Sequence, residues 1–118
     1  MTKPTEQQVI DCDDEQQLSE WAAIYCMGWS LDEENDDWIY HGAAMIGRAY
    51  YNPCQNNAQA IELMVKFGVS PAKVTRDEGE IFIVSIWGSR ERVYIVGDKD
   101  EVAKIITKAA ICSAIRKG

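Results

Sequence analysis

Apolar residues recur at helical spacing in three stretches of this chain and at strand-like density in four others. Leu18, Trp21, Ala22 and Tyr25 fall at i, i+3, i+4 and i+7, the stripe of a helix that buries one face. Asp14 and Gln17 have the D-x-x-Q form of a capping box, and Gly28 suits the left-handed position that ends a helix. Trp29, beside it, can supply the apolar contact of such an ending. A second stripe, Ala60, Ile61, Met64 and Phe67, starts behind a cap at Asn56 or Asn57 and stops at Gly68 and Pro71. The third, Val102, Ile105, Ile106, Ala109 and Cys112, follows a capping box at Asp98 and Glu101. Arg116 and Lys117 complement the helix dipole at its end.

Between the first two helices, WIYH at 38–41 and MIGRAYY at 45–51 are rich in strand formers, with Gly42 between them and a weak point at Gly47. Asn52 and Pro53 mark a turn. EIFIVSIW at 80–87 is nearly all apolar, as in a strand at the centre of a sheet or covered on both faces. Residues 88–91 supply a short hairpin loop and 93–96 a returning strand. The predicted order is α-β-β-α-β-β-α, an α+β domain with helices packed on an antiparallel sheet. It spans residues 14–118, behind an acidic arm at 1–13.

A chain of 118 residues can bury one core without staples. No stretch approaches the ~18–20 consecutive apolar residues of a membrane span. The amino terminus lacks the basic and apolar regions of a secretory signal, so the chain is expected to stay in the cytosol. Cys12, Cys26, Cys54 and Cys112 are too far apart for zinc-ribbon or redox pairs. Free thiols are the expectation, with Cys26 and Cys112 acting as small apolar residues on helices.

Charge is where the composition departs from the ordinary. Residues 1–47 hold eleven acids and one base, Lys3, while residues 48–118 hold eight acids and eleven bases. An acidic half argues against direct nucleic-acid binding and favours a partner protein with a basic surface. Asp32, Glu33, Glu34, Asp36 and Asp37 crowd into six positions directly before Trp38. As a calcium loop starting at Asp32, the run has Asp37 where glycine is needed and Ala43 where a bidentate glutamate belongs. Two accounts remain open: carboxylates that simply solvate and cap, and a crowded surface that imitates nucleic acid for a basic groove. Asp11, Asp13, Asp14, Glu15 and Glu20 could extend that surface. Trp29 and Trp38 flank the run. Exposed, they would anchor a partner; buried, they would staple the loop to the sheet.

Catalytic chemistry finds little footing. His41 is the sole histidine, and no motif brings Cys12 or Cys54 to it. GAAMIGR at 42–48 lacks the Lys-Ser/Thr pair of a phosphate loop and reads as a hairpin bend. No motif calls for a metal or another cofactor. Arg90 and Arg92 beside the 88–92 turn, with Arg48, are the candidates for gripping an anion.

A set of ordered motifs resembles the small phage proteins of the ABA-sandwich type. An Ala-containing helix ends in Met27, Gly28 and Trp29, followed after a gap by Trp38. Tyr51, Asn52 and Pro53 then precede Asn57, Ala58, Ala60, Leu63 and Lys66, and the last helix carries AICSAI at 110–115. The resemblance spans residues 18–116. It implies a bacteriophage origin and an α/β/α layered fold, and it implies no catalytic residues. Combined with the charge pattern, the expectation is a non-enzymatic protein working in the host bacterial cytoplasm. It would inhibit a nucleic-acid-binding or defence protein, in the manner of an anti-CRISPR protein, through residues 32–37 with Trp38 and Trp29. The alternatives are a nucleotide-signal sponge, in which Arg48, Arg90 and Arg92 meet phosphate in a cleft that a homodimer interface could form, and an accessory phage protein without a defence role.

Overall fold

The computed structural model describes residues 3–40, 44–69, 71–76, 79–86 and 93–117. The chain runs α1 (Glu6–Asp11), α2 (Glu15–Trp21), β1 (Ser30–Asp32), β2 (Asp37–Tyr40), β3 (Ala44–Gly47), α3 (Asn57–Phe67), β4 (Pro71–Arg76), β5 (Gly79–Ile86), β6 (Val93–Gly97) and α4 (Val102–Lys117). This is an α+β chain, and its strands divide into two antiparallel sheets, β1-β2-β3 and β4-β5-β6. The single sheet and the four-strand order expected from the sequence are corrected accordingly. β1 and β4 account for the difference. β1 is three residues long and ends in the acidic run, while β4 opens on Pro71, which reads as a helix stop.

α4 is the spine of the core. Residues Ile105, Ile106, Thr107, Lys108, Ala109, Ala110, Ile111 and Cys112 are all buried, so this helix is covered on every side rather than along one stripe. It packs against α1, α2, α3, β5 and β6. The Asp98–Glu101 capping box forms and opens a 3-10 turn at Lys99–Glu101 that leads into α4. β5 is central in its sheet, and Val84 and Ile95, cross-strand partners, are buried beneath it, whereas Val96 is exposed on the other face.

Residues 6–11, within the segment expected as an arm, form α1. Thr5 and Gln8 make its capping box. Val9 is fully buried, the Lys108 ammonium donates to the Ile10 carbonyl at 2.7 Å, and Arg116 meets Glu6 at 2.6 Å. Those contacts tie the acidic amino-terminal segment to α4.

Asp14 caps α2 through the Gln16 and Gln17 amides. The helix then widens into a π turn, Ala22–Cys26, in which the Met27 amide reaches back five residues to the Ala22 carbonyl at 3.0 Å. The extra residue rotates the buried face: Leu18 and Ala22 stay inside as the spacing predicts, and Ala23 and Cys26 join them, while Trp21 and Tyr25 are only half-buried. Gly28 ends the segment at φ +71°, and Gly68 ends α3 at φ +65°. Both take the left-handed conformation that a side chain disfavours. α3 closes with a Schellman bond from the Val69 amide to the Met64 carbonyl.

In the first sheet the register aligns Leu31, Trp38 and Ile46 across all three strands. That row faces the core, with Trp38 only 1% exposed, and Met45 on the opposite face is exposed. The strand expected over 45–51 stops at Gly47, the weak point, and Arg48–Tyr50 turns into a 3-10 helix. No helix among the described residues is long and apolar enough to cross a membrane.

Candidate functional site

β1 and β2 are joined by a turn at 33–36, so the acidic run becomes a hairpin tip. Asp32 organises it: its carboxylate accepts from the Glu34 amide at 3.2 Å and from the Asn35 side chain at 2.9 Å. The Asn35 side-chain hydrogen bond, with help from the turn amides, holds the Asp32 carboxyl below its ordinary range. Glu33, Glu34 and Asp36 are exposed, and Asp32 and Asp37 are half-buried opposite each other at the base of the loop. Asp36 takes φ +55°, a conformation aspartate tolerates better than most residues.

Arg48 determines how this tip sits on the rest of the molecule. Its guanidinium contacts the Glu20 carboxylate on α2 and lies 3.2 Å from Asp36, while its amide donates to the Asp36 carbonyl at 3.0 Å. Arg48 was expected as an anion-binding residue. It is instead occupied by two carboxylates, because the turn after β3 places it between α2 and the hairpin.

The same bridge walls a cleft of about 360 Å3 lined by Glu15, Glu20, Asp36, Arg48, Asn52 and Tyr51. Three carboxylates and one guanidinium therefore share its lining. Asn52 is fixed from both sides: Gln59 on α3 accepts from its amide at 2.7 Å, and the Ser19 hydroxyl on α2 donates to its side chain at 3.3 Å. Gln59 also donates to the Tyr50 carbonyl at 2.8 Å, a clamp that no sequence pattern flagged. Among the described residues, Arg48 Nε and the Tyr51 hydroxyl are buried polar atoms without a protein hydrogen-bond partner. Both residues line this cleft.

The two tryptophans take the stapling role. Trp38, expected in the partner-binding set, is packed in the core and cannot present its ring as an exposed anchor; its inward side of β2 decides this. Trp29 is half-buried and stacks edge-on against Tyr51 with ring centroids 4.7 Å apart. Arg90, Arg92, His41 and Trp87, named from the sequence, lie outside the described residues.

The cysteines are free. Burial pushes the Cys26 and Cys112 thiols up to about 12 and Cys54 up to about 11, so all three are neutral and poor nucleophiles. Burial likewise raises the Tyr51 hydroxyl. Among the described residues, no three His, Cys, Asp or Glu side chains gather into a metal-binding group.

Neither the protein-family models nor the curated proteins contain a match to this chain. Among solved structures, the chain is similar to a phage protein from Bacillus cereus ATCC 14579. The two share 17% sequence identity and superpose with a TM-score of 0.58, over 87% of this chain and 94% of the other. At that identity the likeness is one of fold, and it extends over nearly the whole of both chains.

Proposed function

We propose that this chain is a small phage protein of the ABA-sandwich kind that acts, without catalysis, by binding a basic protein surface in the host cytoplasm. The observation that carries the reading is the Arg48 bridge. By joining Glu20 to Asp36, it sets the carboxylates of α2 beside the hairpin tip and makes one acidic face from two separate segments. A face of closely spaced carboxylates presents to a basic groove what a nucleic-acid backbone presents, so a host nucleic-acid-binding or defence protein is the fitting partner. The fold shared with a phage protein supports the origin. The nucleotide-sponge alternative loses Arg48, whose charge is already matched by two carboxylates.

The test is recovery of partners from nuclease-treated bacterial lysate at low and high salt, using the native chain and a variant with D32N, E33Q, D36N and D37N. The expected result is a basic nucleic-acid-handling protein, retained at low salt by the native chain and lost with the variant or at high salt. Undiminished capture by the variant would remove the acidic face as the working surface.

A further inference from the structure

β5 is apolar on both sides. Ile81 and Ile83 alternate with Phe82 and Val84, the pattern of a strand covered on both faces. One face is covered: α4 packs on β5 and β6, and Val84 and Ile95 beneath it are 0% and 3% exposed. The register sets a second apolar row on the opposite face, where Ala72, Ile83 and Val96 lie side by side across all three strands. Two residues further along β5, Ile81 pairs with Val74. Val96 is 55% exposed, Ala72 is exposed, and Ile81 and Ile83 are half-buried although they lie on the central strand. Among the described elements, the helix that packs on this sheet is α4, on the Val84 side.

We infer that this open face is where a second copy of the chain docks, sheet against sheet about a two-fold axis. Charge decides the occupant. Residues 71–97 hold four bases and four acids, so the whole net charge of −7 lies on the rest of the chain. A neutral, aliphatic face offers nothing to a nucleic acid, an anionic membrane or the basic partner proposed for the acidic face. A two-fold axis sets this aliphatic row against its own copy, with side chains interdigitating between sheets about 10 Å apart. It also brings together the one long segment of each chain that has no net charge to repel the other. Strands of six, eight and five residues, rising ~3.3 Å per residue and ~4.8 Å apart, give a face of roughly 300 Å2. An exposed apolar patch of that size marks an interface. It is smaller than the ~800 Å2 per partner of a standard stable complex, so the dimer forms with rising concentration rather than permanently.

Sedimentation velocity on the full chain, from about 1 µM to about 1 mM, covers the range of such a weak association. A monomer–dimer equilibrium is expected. V96K and A72K change exposed residues on the two edge strands, and circular dichroism reports whether each folds. Each is expected to weaken the dimer at least about tenfold, because the interface would then bury two unpaired ammonium groups. The hairpin variant D32N/E33Q/D36N/D37N is expected not to weaken it, which keeps this result separate from the proposed acidic face. A native chain that stays monomeric throughout overturns the inference. So does a dimer that neither folded variant weakens, or one that the hairpin variant dissociates. A monomer that captures a host protein from lysate, with capture lost in V96K, overturns the second copy in favour of that partner.

Discussion

Arg48, just after the short strand β3, reaches the carboxylate of Glu20 on α2, 28 residues earlier in the chain. Both side chains are largely buried, at 29% and 16% exposure, so the pair lies between a surface ion pair and a buried one. R48M, which keeps the stem and removes the charge, is expected to destabilise the fold by about 1–2 kcal/mol, an intermediate cost between those two cases. Urea unfolding measures the loss. The same variant should increase amide exchange at 33–36, because the hairpin tip then has no cation tying it to α2. An unchanged midpoint together with unchanged exchange would show that the bridge does not hold the tip.

W38A removes a fully packed ring from the row Leu31, Trp38 and Ile46, and it is expected to cost about 3–5 kcal/mol. Denaturant unfolding reads this directly. A loss under 1 kcal/mol would mean that the ring lies on the surface, as a partner anchor would.

K108M tests the attachment of α1. Its Nζ is the donor to the Ile10 carbonyl, and the methionine stem preserves the packing while leaving that carbonyl without the bond. Protection of the amides in α1 is expected to fall by about 1–3 kcal/mol in hydrogen exchange, with α3 unaffected. Equal loss in α1 and α3 would point to global destabilisation instead.

The buried thiols give a pH dependence with a defined sign. Their folded-state values are raised by burial, so the stability they contribute is full below the ordinary thiol value of about 8.5 and is lost as pH rises toward the folded values. For Cys54 that limit is about 11, and for Cys26 and Cys112 about 12. In the native protein at pH 8, a thiol reagent is expected to modify Cys12 first, since it is the one cysteine that is not buried, and the other three only on unfolding. Rapid labelling of all four sites in the folded state would contradict the burial.

Asp32 behaves oppositely. Its carboxyl is held low by Asn35, so its contribution is present above about pH 4 and is lost as pH falls through the depressed folded value. Carbon-detected NMR titration should place Asp32 below the ordinary aspartate range, and N35A should move it back up.

Local chemistry along the chain determined much of this protein. The helix at Asn57–Phe67 with its Asn56 cap and Gly68 ending, the box at Asp98 and Glu101, and the central strand at Gly79–Ile86 all depend on neighbours within a few residues. Such neighbours leave periodic patterns and capping residues that can be read directly. The acidic run was equally visible as charge. What the sequence left undecided depends on contacts between distant segments. β1 is too short to carry a pattern, α1 is held by Lys108 and Arg116 nearly a hundred residues away or more, and the side on which Trp38 faces follows from strand register. The cleft exists because Arg48 draws Glu20 and Asp36 together, and Gln59 locks the Asn52 turn beside it. Pairings of that kind have no fixed spacing, so only the folded chain decides which carboxylates share a face.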